Sequence, residues 1–307
     1  MKEPAATSAV VLLNGKAGTG CPPDVLDSLQ DKLARRGVVA RVDVVQDGSE
    51  LLAAADRAVR EGVSLVIAAG GDGTVSAVAS CLAGTETVLG VLPMGTLNHF
   101  AKDLGLPIEV DAALDVVADG KTTAVDVGEV NGRVFINNSS IGIYPDIVLD
   151  RERQRRRLGR GKWPALLVAC LNVLRRHPSL KVDLRIEGEQ LQRRSPFVFV
   201  GNNRYEVEGF AIGKRNGLAD GQLSLYMAQH GGRFGLLRLA VLALLRKLRQ
   251  AEDFEMLEAA EFVIRPARRR IRVATDGEVV RMQGLLHYRI RPGALRVKVP
   301  PAAQPPA

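Results

Sequence analysis

Apolar runs and amphipathic segments alternate from the N-terminus of this chain up to Lys121, and this alternation restricts the fold more than any other feature. The apolar runs are short and rich in Val, Leu and Ala, as buried parallel strands are. The segments between them repeat apolar residues at helical spacing and carry boundary residues such as Pro22, Gly37 and Ser49. The pattern predicts a doubly wound α/β domain, in which helices cover both faces of a parallel sheet. The predicted strands are Ala9–Leu13, Val38–Val45, Ser64–Ala69 and Val88–Leu92.

Three of these strands are followed by glycine-bearing loops, and ligands bind beyond the carboxyl ends of such strands. Glycine allows close approach of the backbone, and the N–H groups that open the next helix favour a phosphate. Asp72 would repel a phosphate unless a cation lay between them, which suggests Mg²⁺ bound with a nucleotide. On glycine content alone, Gly70–Thr74 fits a plain strand-to-helix turn with an Asp cap equally well. Three such loops together favour a nucleotide crevice.

Strand signals dominate after Lys121, and many of the strands alternate polar and apolar residues. The last two predicted strands are Leu286–Ile290 and Leu295–Val299. Short turns such as Asn131-Gly132 join some of them, which predicts a mainly antiparallel β domain. We therefore predict a nucleotide-binding α/β domain over residues 1–125 and a β-rich acceptor domain over residues 126–307. Two helical insertions are expected, at 158–176 and 233–248.

The amino-acid composition indicates which partners and which cellular compartment to expect. Lys and Arg number 42 against 34 Asp and Glu, and this balance of +8 suits anionic partners. Aromatic residues are scarce and no nucleic-acid module is recognisable, so no specific nucleic acid is expected. The three cysteines are far apart, without CxxC, which favours a reducing compartment over a disulfide framework or a zinc site. With no signal-peptide pattern and no apolar stretch of about 20 residues, we expect a cytoplasmic protein with at most peripheral membrane contact.

The two standard phosphate-binding loops are absent. GxxxxGK[ST] does not occur, because Ala17 follows Gly15-Lys16 where Ser or Thr is required. GxGxxG does not occur either, because Ser76 stands where the third glycine would follow Gly71-Asp72-Gly73. The chain is therefore unlike a P-loop enzyme and unlike a typical dinucleotide dehydrogenase.

Six segments stand in order along the chain: Asn14–Gly18, Gly70–Thr74, Pro93–Ala101, Val125–Gly128, Phe135–Gly142 and Asp276–Glu278. Together they resemble the diacylglycerol kinase catalytic-domain family, which includes bacterial lipid kinases and sphingosine kinases. The family reads NPxxG, GGDGT, PxGTxNDFA, VD(V/L)G, FxNxxxxG and DGE, and order and spacing match over nearly the whole chain. Two positions depart from the pattern: Gly15 replaces the usual Pro, and His99 replaces an Asp and so removes a negative charge.

The resemblance implies an ATP-dependent, Mg²⁺-requiring lipid kinase of phospholipid metabolism, with its active site in the cleft between two domains. It implies that Asp72 lies at nucleotide and metal, that Asp126 orders the metal or its waters, and that Glu278 is the catalytic base. Asp220 resembles a secondary magnesium site, although its Asp-Gly pair is also an ordinary turn. Glu278 likewise follows a sequence typical of a routine hairpin. The residues expected to bind nucleotide are Asn14, Lys16, Gly18, Gly70, Gly71, Gly73, Thr74, Gly95, Thr96 and Asn98.

An arginine-rich segment, Arg151–Lys162, precedes an apolar run, and a second basic-apolar insertion lies at 233–248. Such segments suit an anionic membrane surface, whereas a solvated loop followed by a docked helix is the alternative. Two other functions stay open: a kinase of NAD or another soluble acceptor, since NAD kinases share GGDGT, and a non-catalytic nucleotide-binding regulator. The sequence leaves open which lipid is the acceptor, and the oligomeric state, a homodimer included.

Overall fold

The structure is a computed structural model that describes residues 7–15, 23–146, 148, 180–186, 188–208, 211–215, 217–228, 254–267 and 269–301. The chain divides into two compact units. The first comprises Met1–Val127 and Pro292–Ala307, and the second comprises Gly128–Arg291. The predicted fold class, an α/β domain followed by an antiparallel β domain, is confirmed. The two predicted helical insertions lie outside the described residues.

The first unit contains a parallel sheet in the order β2-β1-β3-β4. Its strands are apolar because both faces are covered, and every residue of β3 is buried. Ala9, Val11 and Leu13 pack in one core with side chains of α1 and α5. Val10 and Leu12 point to the opposite face, where α2 and α3 contact the strands. The elements are β1 (Thr7–Asn14), α1 (Pro23–Ala34), β2 (Val38–Val45), α2 (Gly48–Arg60), β3 (Leu65–Gly70), α3 (Asp72–Leu82), β4 (Val88–Pro93), α4 (His99–Asp103), α5 (Val110–Asp119) and the start of β5 (Lys121–Val130).

The second unit is a sandwich of antiparallel strands. One sheet has the order β14-β13-β10-β7-β16-β17, and the other contains β18-β15-β8-β9, while β5 pairs with β6. Alternate residues of the two sheets form one core, in which the rings of Phe262 and Tyr288 stack at 5.1 Å. The elements are β6 (Arg133–Phe135), β7 (Asn138–Gly142), β8 (Leu180–Ile186), β9 (Glu189–Ser195), β10 (Phe197–Asn202), the hairpin β11 (Tyr205–Glu208) and β12 (Ala211–Arg215), β13 (Leu223–Ala228), β14 (Phe254–Ala259), β15 (Glu261–Pro266), β16 (Arg270–Thr275), β17 (Glu278–Gln283) and β18 (Leu286–Val299).

The C-terminal end of the chain differs from the predicted domain division. Residues from Pro292 onward, and Asp126, belong to the first unit rather than to the second. The reason is the 14-residue strand β18, which the sequence predicted as two separate strands. Its beginning pairs with β15 in antiparallel fashion, and its end pairs with β4 in parallel, with Arg296 opposite Val88. Among the helices of the described ranges, none is long and apolar enough to cross a membrane.

Candidate active site

The loop after β1 reaches the first turn of α3. The Asn14 side-chain amide donates a 3.2 Å hydrogen bond to the Thr74 hydroxyl. Thr74 is buried and fills the space above Gly70, where an added Cβ would lie 2.5 Å from Thr74 Oγ1. A side chain at Gly70 would therefore displace Thr74 and its bond to Asn14. Lys16 and Gly18, also predicted to bind nucleotide, lie outside the described residues.

The loops after β3 and β4 touch through their backbones. The Met94 amide donates to the Gly70 carbonyl at 2.9 Å, and a Cβ added at Gly95 would lie 2.5 Å from the Cα of Gly71. The Asp72 Oδ1 accepts a 2.7 Å hydrogen bond from the His99 amide. The structure thus brings the three glycine-bearing loops together at the carboxyl ends of β1, β3 and β4, where sheets of this class bind ligands.

Asn98 shapes its own loop. It has left-handed backbone angles (φ 50°, ψ 48°) and is buried. Its Oδ1 accepts from the Gly95 amide at 3.0 Å, and its Nδ2 donates to the Gly95 carbonyl at 2.9 Å. Both ends of the amide are therefore bonded within the loop. Of the two polar side chains that the sequence assigned to nucleotide here, Thr96 is the exposed one.

The N-terminus of α3 suits an anion. Gly71 occupies the capping position and no side chain caps the helix. The Thr74 and Val75 amides bond to the Gly71 carbonyl, and the earlier N–H groups of the helix have no capping side chain. A Cβ added at Gly73 would meet nothing within 4 Å, so the space beside this turn is open. The partial positive charge and free N–H groups of such a terminus favour a phosphate.

The half-buried Asp72 carboxylate is the group here that fits a magnesium ion. Apart from the bond that Oδ1 accepts from His99, it has no hydrogen-bond partner among the described residues. Within those same residues, no group of three or more His, Cys, Asp or Glu could hold a metal. Mg²⁺ in kinases is usually held by one or two carboxylates together with substrate phosphates, so a single carboxylate beside an anion site fits an ion that arrives with a nucleotide.

The other two carboxylates predicted to bind metal have structural contacts of their own. Asp126 is buried in β5, and its Oδ1 accepts a 2.8 Å hydrogen bond from the Gly293 amide, which fixes β18 in the first unit. Asp220 is exposed, and its carboxylate lies where a Cβ at Gly217 would be, 2.3 Å from that position. These contacts give both residues a role in the fold, and their metal roles stay predictions.

Glu278 lies at the start of β17 in the second unit. Its side chain is 65% exposed, and its Oε2 is 2.5 Å from Arg133 Nη2. The same guanidinium donates from Nε to the Thr275 hydroxyl at 2.7 Å. Arg133 therefore orients the predicted base against β16.

Asp276 anchors this turn to the segment before β7. Its carboxylate accepts hydrogen bonds from the backbone amides of Ile136, Asn137 and Asn138 at 2.8–3.0 Å. Asp276 has a positive φ of 47°, which Asp tolerates better than most residues. The Asp-Gly-Glu sequence is thus a hairpin turn and, through its first residue, a clamp on residues 136–138.

Comparison with known proteins places these features in a family. The family model for the diacylglycerol kinase catalytic domain matches residues 8–130, and the model for the YegS C-terminal NAD kinase beta sandwich-like domain matches residues 146–299. A Citrobacter koseri protein named "Probable lipid kinase YegS-like" is 31% identical over 96% of both chains. A Mycobacterium tuberculosis protein named "Diacylglycerol kinase" is 35% identical over 74% of this chain and 75% of that one.

The chain belongs to the diacylglycerol kinase-like family of lipid kinases. A solved structure of a diacylglycerol kinase from Bacillus anthracis shares the fold, with a TM-score of 0.70 at 20% identity over 97% of this chain and 98% of that one. The resemblance drawn from the six sequence segments is confirmed.

His99, which stands where the family usually has Asp, has an exposed side chain. What the structure uses at this position is the backbone amide, which bonds to Asp72. A backbone N–H is supplied by any residue except proline, so the change from Asp to His keeps this link between the two loops.

Sequence reasoning missed two residues that organise the second unit. Asp276 was part of a recognised segment, but nothing showed that its carboxylate binds three amides. Arg215 is buried and donates to the Ile136 carbonyl at 2.6 Å and to the Asn137 side-chain oxygen at 3.1 Å. Among the Lys and Arg residues that the structure describes, its burial is what distinguishes it.

Proposed function

We propose that this protein transfers the terminal phosphate of ATP to a hydroxyl of diacylglycerol or a related lipid alcohol, with Mg²⁺. The observation that carries the proposal is the joined set of loops after β1, β3 and β4, with the uncapped N-terminus of α3 and the Asp72 carboxylate side by side. Family membership supports lipid as the class of acceptor.

The loops act by binding and orienting the triphosphate. Phosphoryl transfer needs mainly positioning and neutralisation of charge, and preorganised N–H groups do both. Gly70 and Gly95 keep the loops in contact, and Thr96 is the exposed hydroxyl available to a phosphate. Mg²⁺, when bound with the nucleotide, supplies further neutralisation of phosphate charge, and Asp72 would hold it. Asp126 would act on the metal through ordered water, and Asp220 would hold a separate structural ion.

Glu278 is the proposed general base. A lipid hydroxyl is a weak nucleophile, and a carboxylate can take its proton as the oxygen attacks phosphorus. The exposed carboxylate is oriented by Arg133, and the turn that carries it is clamped by Asp276. A carboxylate held in this way loses little freedom when substrate binds.

We also propose that the protein works in the cytoplasm at an anionic membrane, where the diacylglycerol would be found. The segment assigned to membrane contact, Arg151–Lys162, lies outside the described residues. Its contribution is tested by replacing its arginines with Gln, which should weaken vesicle binding most at low salt.

Product identification tests the proposal. The protein is incubated with ATP, Mg²⁺ and total bacterial lipid, and phosphorylated products are identified by mass spectrometry. A parallel reaction contains NAD in place of lipid. We expect a phosphorylated lipid alcohol from the wild-type protein and none from Asp72→Ala, whose fold is checked by circular dichroism. Phosphorylated NAD without phosphorylated lipid would support the soluble-acceptor alternative, and nucleotide binding without any product would support the regulator.

A further inference from the structure

Three arginines share one face of the hairpin formed by β16 and β17. Ile271 and Val273 of β16 point into the sandwich core, so Arg270 and Arg272 point outward. Arg281 lies directly opposite Arg272 across the two strands and therefore shares that outward face. The hairpin thus presents three guanidinium groups side by side.

These guanidinium groups line a cavity of about 280 Å³. Gly142, Leu180 and Ile271 also line it, and Asp146 contributes a carboxylate. Asp146 lies 2.5 Å from Arg272, whereas Arg270 and Arg281 form no ion pair with any described residue. Among the described residues that line the cavity, three positive charges and one negative charge give a net charge of +2.

Like charges directly opposite each other in a sheet are destabilising, and here Arg272 faces Arg281 with one carboxylate nearby. Charged residues on an edge strand can serve to prevent edge-to-edge association. Prevention of edge-to-edge association explains Arg281, because β17 is the edge strand of its sheet. It does not explain Arg270 and Arg272, which lie on the inner strand β16. Asp146 offsets the charge of Arg272, and a bound anion would offset the charges of Arg270 and Arg281.

We infer that this cavity, which we name the β16–β17 arginine pocket, binds a phosphate group. Guanidinium groups match phosphate oxygens in paired hydrogen bonds, and arginine is favoured where a phosphate is recognised. The group is supplied either by a phospholipid headgroup or by a soluble phosphate. The pocket lies in the second unit and shares no residue with the loops after β1, β3 and β4, so the inference does not depend on the proposed kinase activity.

The test compares two triple variants with the same change in net charge. The pocket variant carries Arg270→Gln, Arg272→Gln and Arg281→Gln. The control variant carries Arg35→Gln, Arg60→Gln and Arg194→Gln, three exposed arginines without ion pairs among the described residues. Sedimentation with phosphatidylcholine vesicles containing phosphatidic acid measures membrane binding, without ATP. Titration calorimetry with inorganic phosphate measures the soluble source.

We expect the pocket variant to lose about 10²-fold in vesicle partitioning relative to the control, since each of the three basic residues at an anionic surface is worth about fivefold. If only phosphate binding is lost, the pocket takes soluble phosphate. If neither measurement separates the two variants, the inference is wrong.

Asp146→Asn provides an independent check, because removal of the carboxylate makes the pocket more positive. It should strengthen anion binding by about fivefold, the effect of one surface charge. Unchanged or weakened binding in a folded Asp146→Asn protein would contradict an anion site here. Thermal unfolding of every variant separates loss of binding from loss of fold.

Discussion

Replacing Gly95 by alanine tests whether contact between the β3 and β4 loops is needed for phosphate transfer. The new Cβ would lie 2.5 Å from Gly71 Cα and 2.7 Å from Asn98 Oδ1, whereas carbon atoms in contact are about 3.5–4.0 Å apart. One neighbour is backbone, and the other is an amide held by hydrogen bonds within the loop. The two loops must therefore separate by about 1 Å to restore normal contact distances.

Such overpacking costs about 1–3 kcal/mol of unfolding free energy. A displacement of about 1 Å in groups that position a substrate can cost about 10²-fold in rate. We therefore expect Gly95→Ala to remain folded while kcat/KM for ATP falls about 10²-fold, measured by initial rates of lipid phosphorylation. Urea denaturation gives the accompanying change in stability.

Gly48→Ala is the matched control. Gly48 begins α2, and a Cβ there meets nothing within 4 Å, so neither the rate nor the stability should fall. A Gly95→Ala protein with wild-type kcat/KM would refute the reasoning, because the loops would then tolerate separation.

Three further predictions concern single residues. Glu278→Gln should lower kcat by about 10²–10⁴-fold, the usual range for a general base, and should change stability by less than about 1 kcal/mol because its pair with Arg133 is exposed; wild-type kcat would assign the proton elsewhere. Asp276→Ala leaves three backbone amides without their acceptor and should lower the unfolding free energy by about 3–6 kcal/mol, while Asp276→Asn should lower it less; urea denaturation that finds equal stability would rule out the clamp. Burial, and to a smaller extent a hydrogen bond with Asp56, raises the pKa of the Cys81 thiol from 9.0 to about 12. The folded protein should therefore alkylate at Cys81 about 10³-fold more slowly at pH 8 than the urea-unfolded protein, as followed by mass spectrometry, and equal rates would contradict the burial.

The α/β half of the fold could be predicted because its signal is local. Strand β3 is apolar at every position and buried at every position, so its burial can be inferred directly from composition. Strand β18 could not be predicted as one strand, because Pro292-Gly293 resembles a break and its final partner, Val88, lies about 200 residues away in sequence. Non-local pairing of this kind leaves no periodic trace in the residues that form it.

The sequence predicted which residues form the candidate site better than it predicted where their side chains point. The sequence placed Asn98 in a phosphate-binding loop, but residue type does not show that its amide bonds to its own backbone. Asp276 and Glu278 stand two positions apart, and their different contacts depend on the positive φ of Asp276. Arg215 resembles any surface arginine until its burial is known.

Transfer of the phosphate to a lipid hydroxyl can be measured in a single reaction that offers two acceptors. The protein is incubated with γ-labelled ATP, Mg²⁺, and vesicles containing diacylglycerol, with NAD in the same tube, and the label is measured after organic extraction. We expect label in the lipid phase with wild-type protein and almost none with Asp72→Ala. Label that stays in the aqueous phase, on NAD or as free phosphate, would contradict it.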